Sequence, residues 1–340
     1  MIYSSKQLLF RLYDLISMPL TVMSAFQMRL LRRYGIQNFQ WARRYLLWRG
    51  VFPIRRHFYD PQFHPDDLPS SFTKKRDLPG ISFNTSEQLQ LLSSFRWQEE
   101  LEQFHQPNIP LLENGTTFNL DNTAFGPGDV DFYYQTIRRL KPKRIIEIGS
   151  GNSTIVALAA VEANVREDSS YSCDLTAVEP FPWFFHPSLN LLPNKVEDVP
   201  DSVFETLQDG DILFIDSSHM LRPGGDIVHE FLRLLPLINA GVYIHVHDIF
   251  TPYDYPERWV KSWHFFWNEQ YVLEALLSGG DRFEVYASLY MLSRDYPEQA
   301  MTAMPLLRLQ ERHPHSFWLR KKVTPSLAPE SDFSDLAETV

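Results

Sequence analysis

Two apolar runs in this chain end in side chains that can move protons or hold a cation. Asp211-Ile212-Leu213-Phe214-Ile215 leads into Asp216-Ser217-Ser218-His219, and Gly241-Val242-Tyr243-Ile244-His245-Val246 leads into His247-Asp248. Carboxylates with imidazoles suit a divalent metal, and imidazole moves the choice from magnesium towards manganese, iron or zinc. A histidine titrating near neutrality can also take a proton from a hydroxyl. Any one of these histidines alone reads as a satisfied strand-end side chain. Four such groups delivered by two neighbouring strands read as a site. His245, deeper in its strand, reads as core.

A third stretch supplies a place for a ligand. Arg144-Ile145-Ile146-Glu147-Ile148 reads as a short buried strand, broken by Gly149-Ser150-Gly151. Asn152, Ser153 or Thr154 can cap the helix that follows through Ile155 to Ala160. Glycines let a ligand lie against bare backbone, and a helix start presents unpaired N–H groups. A dinucleotide fingerprint needs a third glycine, and Thr154 stands in its place. Glu179 ends the next strand, where an acid can accept hydrogen bonds from ribose hydroxyls. Glu197-Asp198 is expected to end the third strand.

An acid, one residue, then Gly-x-Gly resembles motif I of the class I S-adenosylmethionine (SAM) methyltransferases, here Glu147, Gly149, Ser150 and Gly151. The resemblance implies SAM as cofactor, held by Glu147, Gly149, Ser150, Gly151, Ser153 and Glu179, with Asp198 at the adenine amine. Asp216-Ser-Ser-His219, then an acid after the fifth strand, resembles the metal-dependent small-molecule O-methyltransferases, of the macrolide-sugar and cephalosporin-hydroxylase-like types. That likeness covers roughly 115–290. It implies Asp216 and Asp248 as metal ligands and His219 as general base. His247 stands where that family commonly has a carboxylate. The candidate set is therefore His219 and Asp216 for catalysis, and Asp216, His247 and Asp248 for the metal.

The elements that would position these groups alternate strand and helix from Arg144 onward, which implies a parallel sheet covered on both faces. Strands are expected at 144–149, 173–179, 194–198, 211–216, 241–247, 283–288 and 316–321. Helices are expected at 153–164, 201–208, 225–238 and 268–278. Seven strands with a late seventh match the class I sheet, an α/β Rossmann-like architecture, and the order 3-2-1-4-5-7-6 follows from the resemblance. Trp259, Trp263 and Trp267 fall at helical spacing and read as core packing, with a substrate wall as the rival. Trp183, Phe184 and Phe185 could flank an adenine or form a surface cluster.

Before that domain, residues 5–34 and 36–49 read as helices of a basic arm over 1–50. A proline-rich connector and helical cap occupy 51–114, the methyltransferase-like domain 115–323, and a disordered acidic tail 324–340. The net charge of −10 hides an asymmetry: the first 56 residues carry ten Lys/Arg and only one acid, Asp14. Such an arm can dock on its own body, on another subunit of a homo-oligomer, or on anionic lipid. Nucleic acid is disfavoured, because the acidic body repels phosphate. The single cysteine, Cys173, excludes an internal disulfide. Leu15 to Phe26 is apolar but falls short of the roughly 20 residues of a spanning helix, so the expectation is a cytoplasmic protein with peripheral membrane contact as an option.

The expected reaction is methyl transfer to oxygen on a small molecule or glycan, assisted by a divalent cation. Two rivals stand beside it: a hydroxylase using His219, His247 and a carboxylate around iron, and an inactive scaffold acting through the basic arm.

Overall fold

The computed structural model describes residues 5–51, 63, 67–69, 71–106, 109–310 and 312–323, so the expected tail lies outside the described residues. The chain divides into two compact units, Met1–Ser70 and Ser71–Val340.

The first unit holds helices α1 (Ser5–Tyr34) and α2 (Gln40–Trp48), separated by a 3-10 turn at Ile36–Asn38. Pro19 lies inside α1 without ending it. The helix spans the expected 5–34, and the apolar run Leu15–Phe26 is only its middle. Lys6–Tyr34 is long and apolar enough to cross a membrane by length and composition.

The second unit is built on a seven-stranded sheet: β1 (Arg144–Ile148), β2 (Asp174–Val178), β3 (Leu189–Leu192), β4 (Ile212–Ile215), β5 (Tyr243–Val246), β6 (Phe283–Ser288) and β7 (Phe317–Lys321). Their order is β3-β2-β1-β4-β5-β7-β6. The first five are parallel, and β7 runs antiparallel between β5 and β6. This is the Rossmann-like sheet expected. Side chains alternate across it. Ile145, Ile212, Phe214 and Trp318 pack on one core with α3 (Thr85–Ser93), α4 (Asp129–Leu140) and α5 (Asn152–Glu167), whereas Ile146, Leu213, Ile244 and Leu319 face Phe204, Phe231 and Leu273. The stretch that was expected as one helix over 225–238 is Asp226–His229, a π turn Glu230–Leu234 and Leu235–Leu237. α6 (Glu269–Ser278) follows β5.

The third strand is a correction. It lies at Leu189–Leu192, and Val196–Asp198 forms a 3-10 turn. Leu189–Leu192 is a half-exposed edge with one polar residue, Asn190, so it lacks the apolar run that marks the central strands. The tryptophan stripe also breaks. Arg258–Ser262 is a single π turn, and Trp263 to Trp267 continues outside helix.

Candidate functional site

Parallel strands set the geometry. β4 and β5 pair with Ile215 opposite Val246, so the next residues, Asp216 and His247, leave the sheet side by side. The Asp216 N–H donates to the Ile148 carbonyl (2.9 Å) and the His247 N–H to that of Ile215 (2.9 Å). Both strand exits turn through left-handed backbone, at His219 (φ 59°) and Asp248 (φ 55°). Non-glycine residues seldom hold that conformation without support from their surroundings.

The support for His219 comes from α6. The His219 carbonyl accepts the Asn268 and Glu269 N–H groups at 3.1 and 3.3 Å, and His219 Nδ1 lies 2.8 Å from Glu269 Oε2. The ring's other nitrogen, Nε2, is 3.5 Å from Asp216 Oδ1 and 3.5 Å from Asp248 Oδ2. Trp267 covers its face at 4.3 Å between ring centres. Burial alone would push the His219 pKa down, but the bond to Glu269 and the charges of Asp248 and Asp216 outweigh it and carry it to about 10. The Glu269 bond and the two carboxylates thus favour the protonated form of His219.

Asp248 is the hub. Its Oδ1 is 3.0 Å from His315 Nδ1 and 3.7 Å from His247 Nε2. Burial opposes its charge, yet His247 and the bond to His315 hold its pKa well below the usual carboxylate range. Burial lowers the His247 pKa and Asp248, Asp216 and Asp129 raise it, for a net rise. Asp216, a third exposed, is pushed up by burial. His247 Nε2 donates to the Ala124 carbonyl (3.0 Å), while its buried Nδ1 has no hydrogen-bond partner.

Ligating atoms of His247, Asp248 and His315 lie within 4.8 Å of one another. Two imidazoles, a carboxylate and an unsatisfied buried nitrogen fit a divalent transition metal by donor type. His315 replaces Asp216 in that group. Asp216 instead stands on the His219 side of Asp248.

The glycine turn faces the same strand ends. A Cβ on Gly149 (φ 94°) would stand 2.4 Å from the Asp216 carbonyl, so only glycine fits there. A cleft of about 310 Å³ opens beside it, lined by Gly149, Glu179, Phe181, Glu197, Asp216 and Asp226 among others. Its size and its mix of apolar wall with a few carboxylates suit a nucleoside. The buried Ser150 Oγ at the turn also lacks a partner. A larger cavity of about 620 Å³ at Trp97, Tyr134 and Arg138 includes none of these strand ends.

Three expected cofactor contacts sit differently. Glu147 is fully buried: Tyr133 Oη donates to it at 3.0 Å and Thr154 Oγ1 at 2.6 Å, and Thr154 Oγ1 accepts the Gly151 N–H at 2.9 Å. Glu147 thus braces the turn from behind, and burial pushes its pKa up to about 7. Ser153 is buried in the first turn of α5. Asp198, one residue past the cleft lining, is exposed in the 3-10 turn, and Glu197 lines the cleft instead. Glu179 does line it, and accepts the Phe181 N–H at 2.7 Å. Trp183 lies over Gly151, Phe184 is buried and Phe185 is exposed, so the three aromatics do not act as one wall.

His245 is core, as expected. Its ring stacks on Phe214 at 3.7 Å, Nε2 is 2.8 Å from Ser316 Oγ, and burial drives its pKa well below neutrality. Glu269, His315 and Trp267 are the site residues that sequence reasoning missed as such.

Residues 146–249, which include the glycine turn and both strand exits, match a family model described as a methyltransferase domain. An uncharacterized protein of Archaeoglobus fulgidus is 30% identical over 172 residues, 47% of this chain and 75% of that protein. The chain belongs to one family with that archaeal protein, and residues 146–249 of its second unit are similar to a methyltransferase domain. The solved O-methyltransferase TomG from Streptomyces achromogenes, involved in tomaymycin synthesis and bound to SAM, is a distant likeness at 13% identity. It covers 71% of this chain and 97% of its own, with a TM-score of 0.36.

Proposed function

We propose that the protein transfers the methyl group of SAM to a hydroxyl oxygen of a small molecule or glycan, with a divalent metal held by His247, Asp248 and His315. One observation carries this reading: the Gly149 cleft and the acid–imidazole cluster share Asp216, which lines the former and touches His219 in the latter. A nucleoside in the cleft would therefore present its far end to the cluster.

The sulfonium already activates the methyl group, so what remains is to align the acceptor oxygen and manage its proton. A bound divalent ion lowers the pKa of an oxygen it contacts. The chain's own residues do the rest. Glu269 holds the His219 ring through Nδ1, leaving Nε2 aimed between Asp216 and Asp248. Neutralising the charge on Asp248 removes part of what keeps His219 protonated, and so moves it towards use as a base. Trp267 closes one face of that imidazole against water.

The donor set of two imidazoles and one carboxylate also suits non-haem iron, which gives the hydroxylase reading one specific support. Calorimetry separates the two. SAM or S-adenosylhomocysteine binding that Glu179→Ala weakens about tenfold, with no oxygen uptake on 2-oxoglutarate, supports transfer. Oxygen uptake without SAM binding overturns it.

A further inference from the structure

We propose that the first unit is a membrane-binding module, with α1 lying in the plane of an anionic bilayer and the aromatic face of α2 seated at the lipid headgroups. Among the described residues, exposed large apolar side chains concentrate between Leu8 and Val51. In α1 they include Phe10 (72%), Leu20 (69%) and Met23 (70%). A soluble surface does not leave so much contiguous apolar area facing water.

Charge selects the occupant. From Leu15 to Tyr59 the sequence has no Asp or Glu, while Arg29, Arg32 and Arg33 close α1 and Arg43, Arg44 and Arg49 belong to or follow α2. Trp41, Tyr45 and Trp48, spaced by four and three, share one face of α2 and are exposed by 84%, 60% and 73%. Arg44 and Arg49 lie over the Trp41 and Trp48 rings at 5.8 and 5.5 Å. Amphipathic rings beside guanidinium groups suit the boundary between acyl chains and acidic headgroups.

Although α1 is long enough to span, the placement of its charged and polar residues favours the surface over a crossing. The charge-free stretch Leu15–Met28 rises about 21 Å at 1.5 Å per residue, short of a hydrocarbon core of about 30 Å. Asp14, Ser17, Thr21 and Ser24 recur at three and four and so form one polar stripe along the helix. Ser17 Oγ and Thr21 Oγ1 donate back to the Asp14 and Ser17 carbonyls, each at 3.2 Å. A narrow polar stripe over a broad apolar face, with basic residues towards both ends, is the pattern of an interfacial helix.

The test uses the full chain and flotation with phosphatidylcholine vesicles, with and without 25% phosphatidylglycerol. The expected result is flotation with the anionic vesicles, weakened by high salt and by about fivefold for each of R43Q, R44Q and R49Q. Circular dichroism melting of the same variants should match the unaltered chain. Single cysteines placed at 17, 21, 23 and 26 in a C173S background then report orientation. Labels at 17 and 21 stay reactive to a water-soluble reagent, and labels at 23 and 26 are protected. No flotation, flotation indifferent to lipid charge, or a stable dimer that buries α1 without lipid overturns the proposal. Uniform protection of all four positions also does so, because it means a spanning helix.

Discussion

His219 Nδ1 and Glu269 Oε2 stand 2.8 Å apart across fifty residues of sequence, one at the exit of β4 and the other at the first residue of α6. This contact decides which nitrogen of His219 faces Asp216 and Asp248. Glu269→Gln keeps the shape and removes the charge. The expected outcome is a fall in methyl transfer of about 10²- to 10⁴-fold, the range seen when acid–base support for a catalytic histidine is lost. SAM affinity should be unchanged. Steady-state rates and calorimetry on the same preparation check both halves, and equal loss of both contradicts the positioning role.

On the proposed metal site, ion binding should distinguish His315 from Asp216. His315→Ala and His247→Ala should each weaken Mn²⁺ or Co²⁺ binding by 10-fold or more, the order seen on loss of groups around a metal. Asp216→Asn should weaken it less. Cobalt absorption spectra of the three variants read the order directly, without an acceptor.

Gly149 leaves no room for change. Alanine there meets the Asp216 carbonyl at 2.4 Å and strains the backbone at φ 94°. Gly149→Ala should cost about 1–3 kcal/mol of stability and abolish S-adenosylhomocysteine binding. Urea titration gives the first and calorimetry the second.

Glu147 makes stability depend on pH. Its folded pKa, raised by burial to about 7, exceeds the 4.5 of an ordinary glutamate, so the folded state holds the proton more tightly. The stabilisation is present below pH 4.5 and is lost as pH rises through 7. Glu147→Gln removes this dependence and should gain up to roughly 3 kcal/mol relative to the unaltered chain between pH 5 and pH 8. Urea midpoints at the two pH values measure it. A variant whose midpoints track the parent's at both values contradicts the assignment.

The sequence revealed the parts of the site that lie beside an apolar run. Asp216, His219, His247 and Asp248 each follow a buried strand, and so does the glycine turn. Glu269 and His315 carry no such mark, because tertiary packing brings them in. His315 did have one available signal. In an antiparallel pair the residue before one strand meets the residue after the other, and Val246 pairs with Phe317. The residues bracketing that pair, Asp248 and His315, must then meet, and they do at 3.0 Å. Glu147 misled for the opposite reason. Motif spacing places it near a ligand, while strand alternation turns it behind the turn, to Tyr133 and Thr154. β3 escaped because an edge strand with one covered side needs no apolar run.

The antiparallel entry of β7 also has a consequence for biosynthesis. Because His315 and the strand after it come from the C-terminal side of every other site residue, a ribosome-bound chain can form β1 to β5 and still lack the last imidazole. Affinity for the proposed divalent ion should therefore switch on late in translation, and chains stalled before residue 315 should fold much of the sheet without that site.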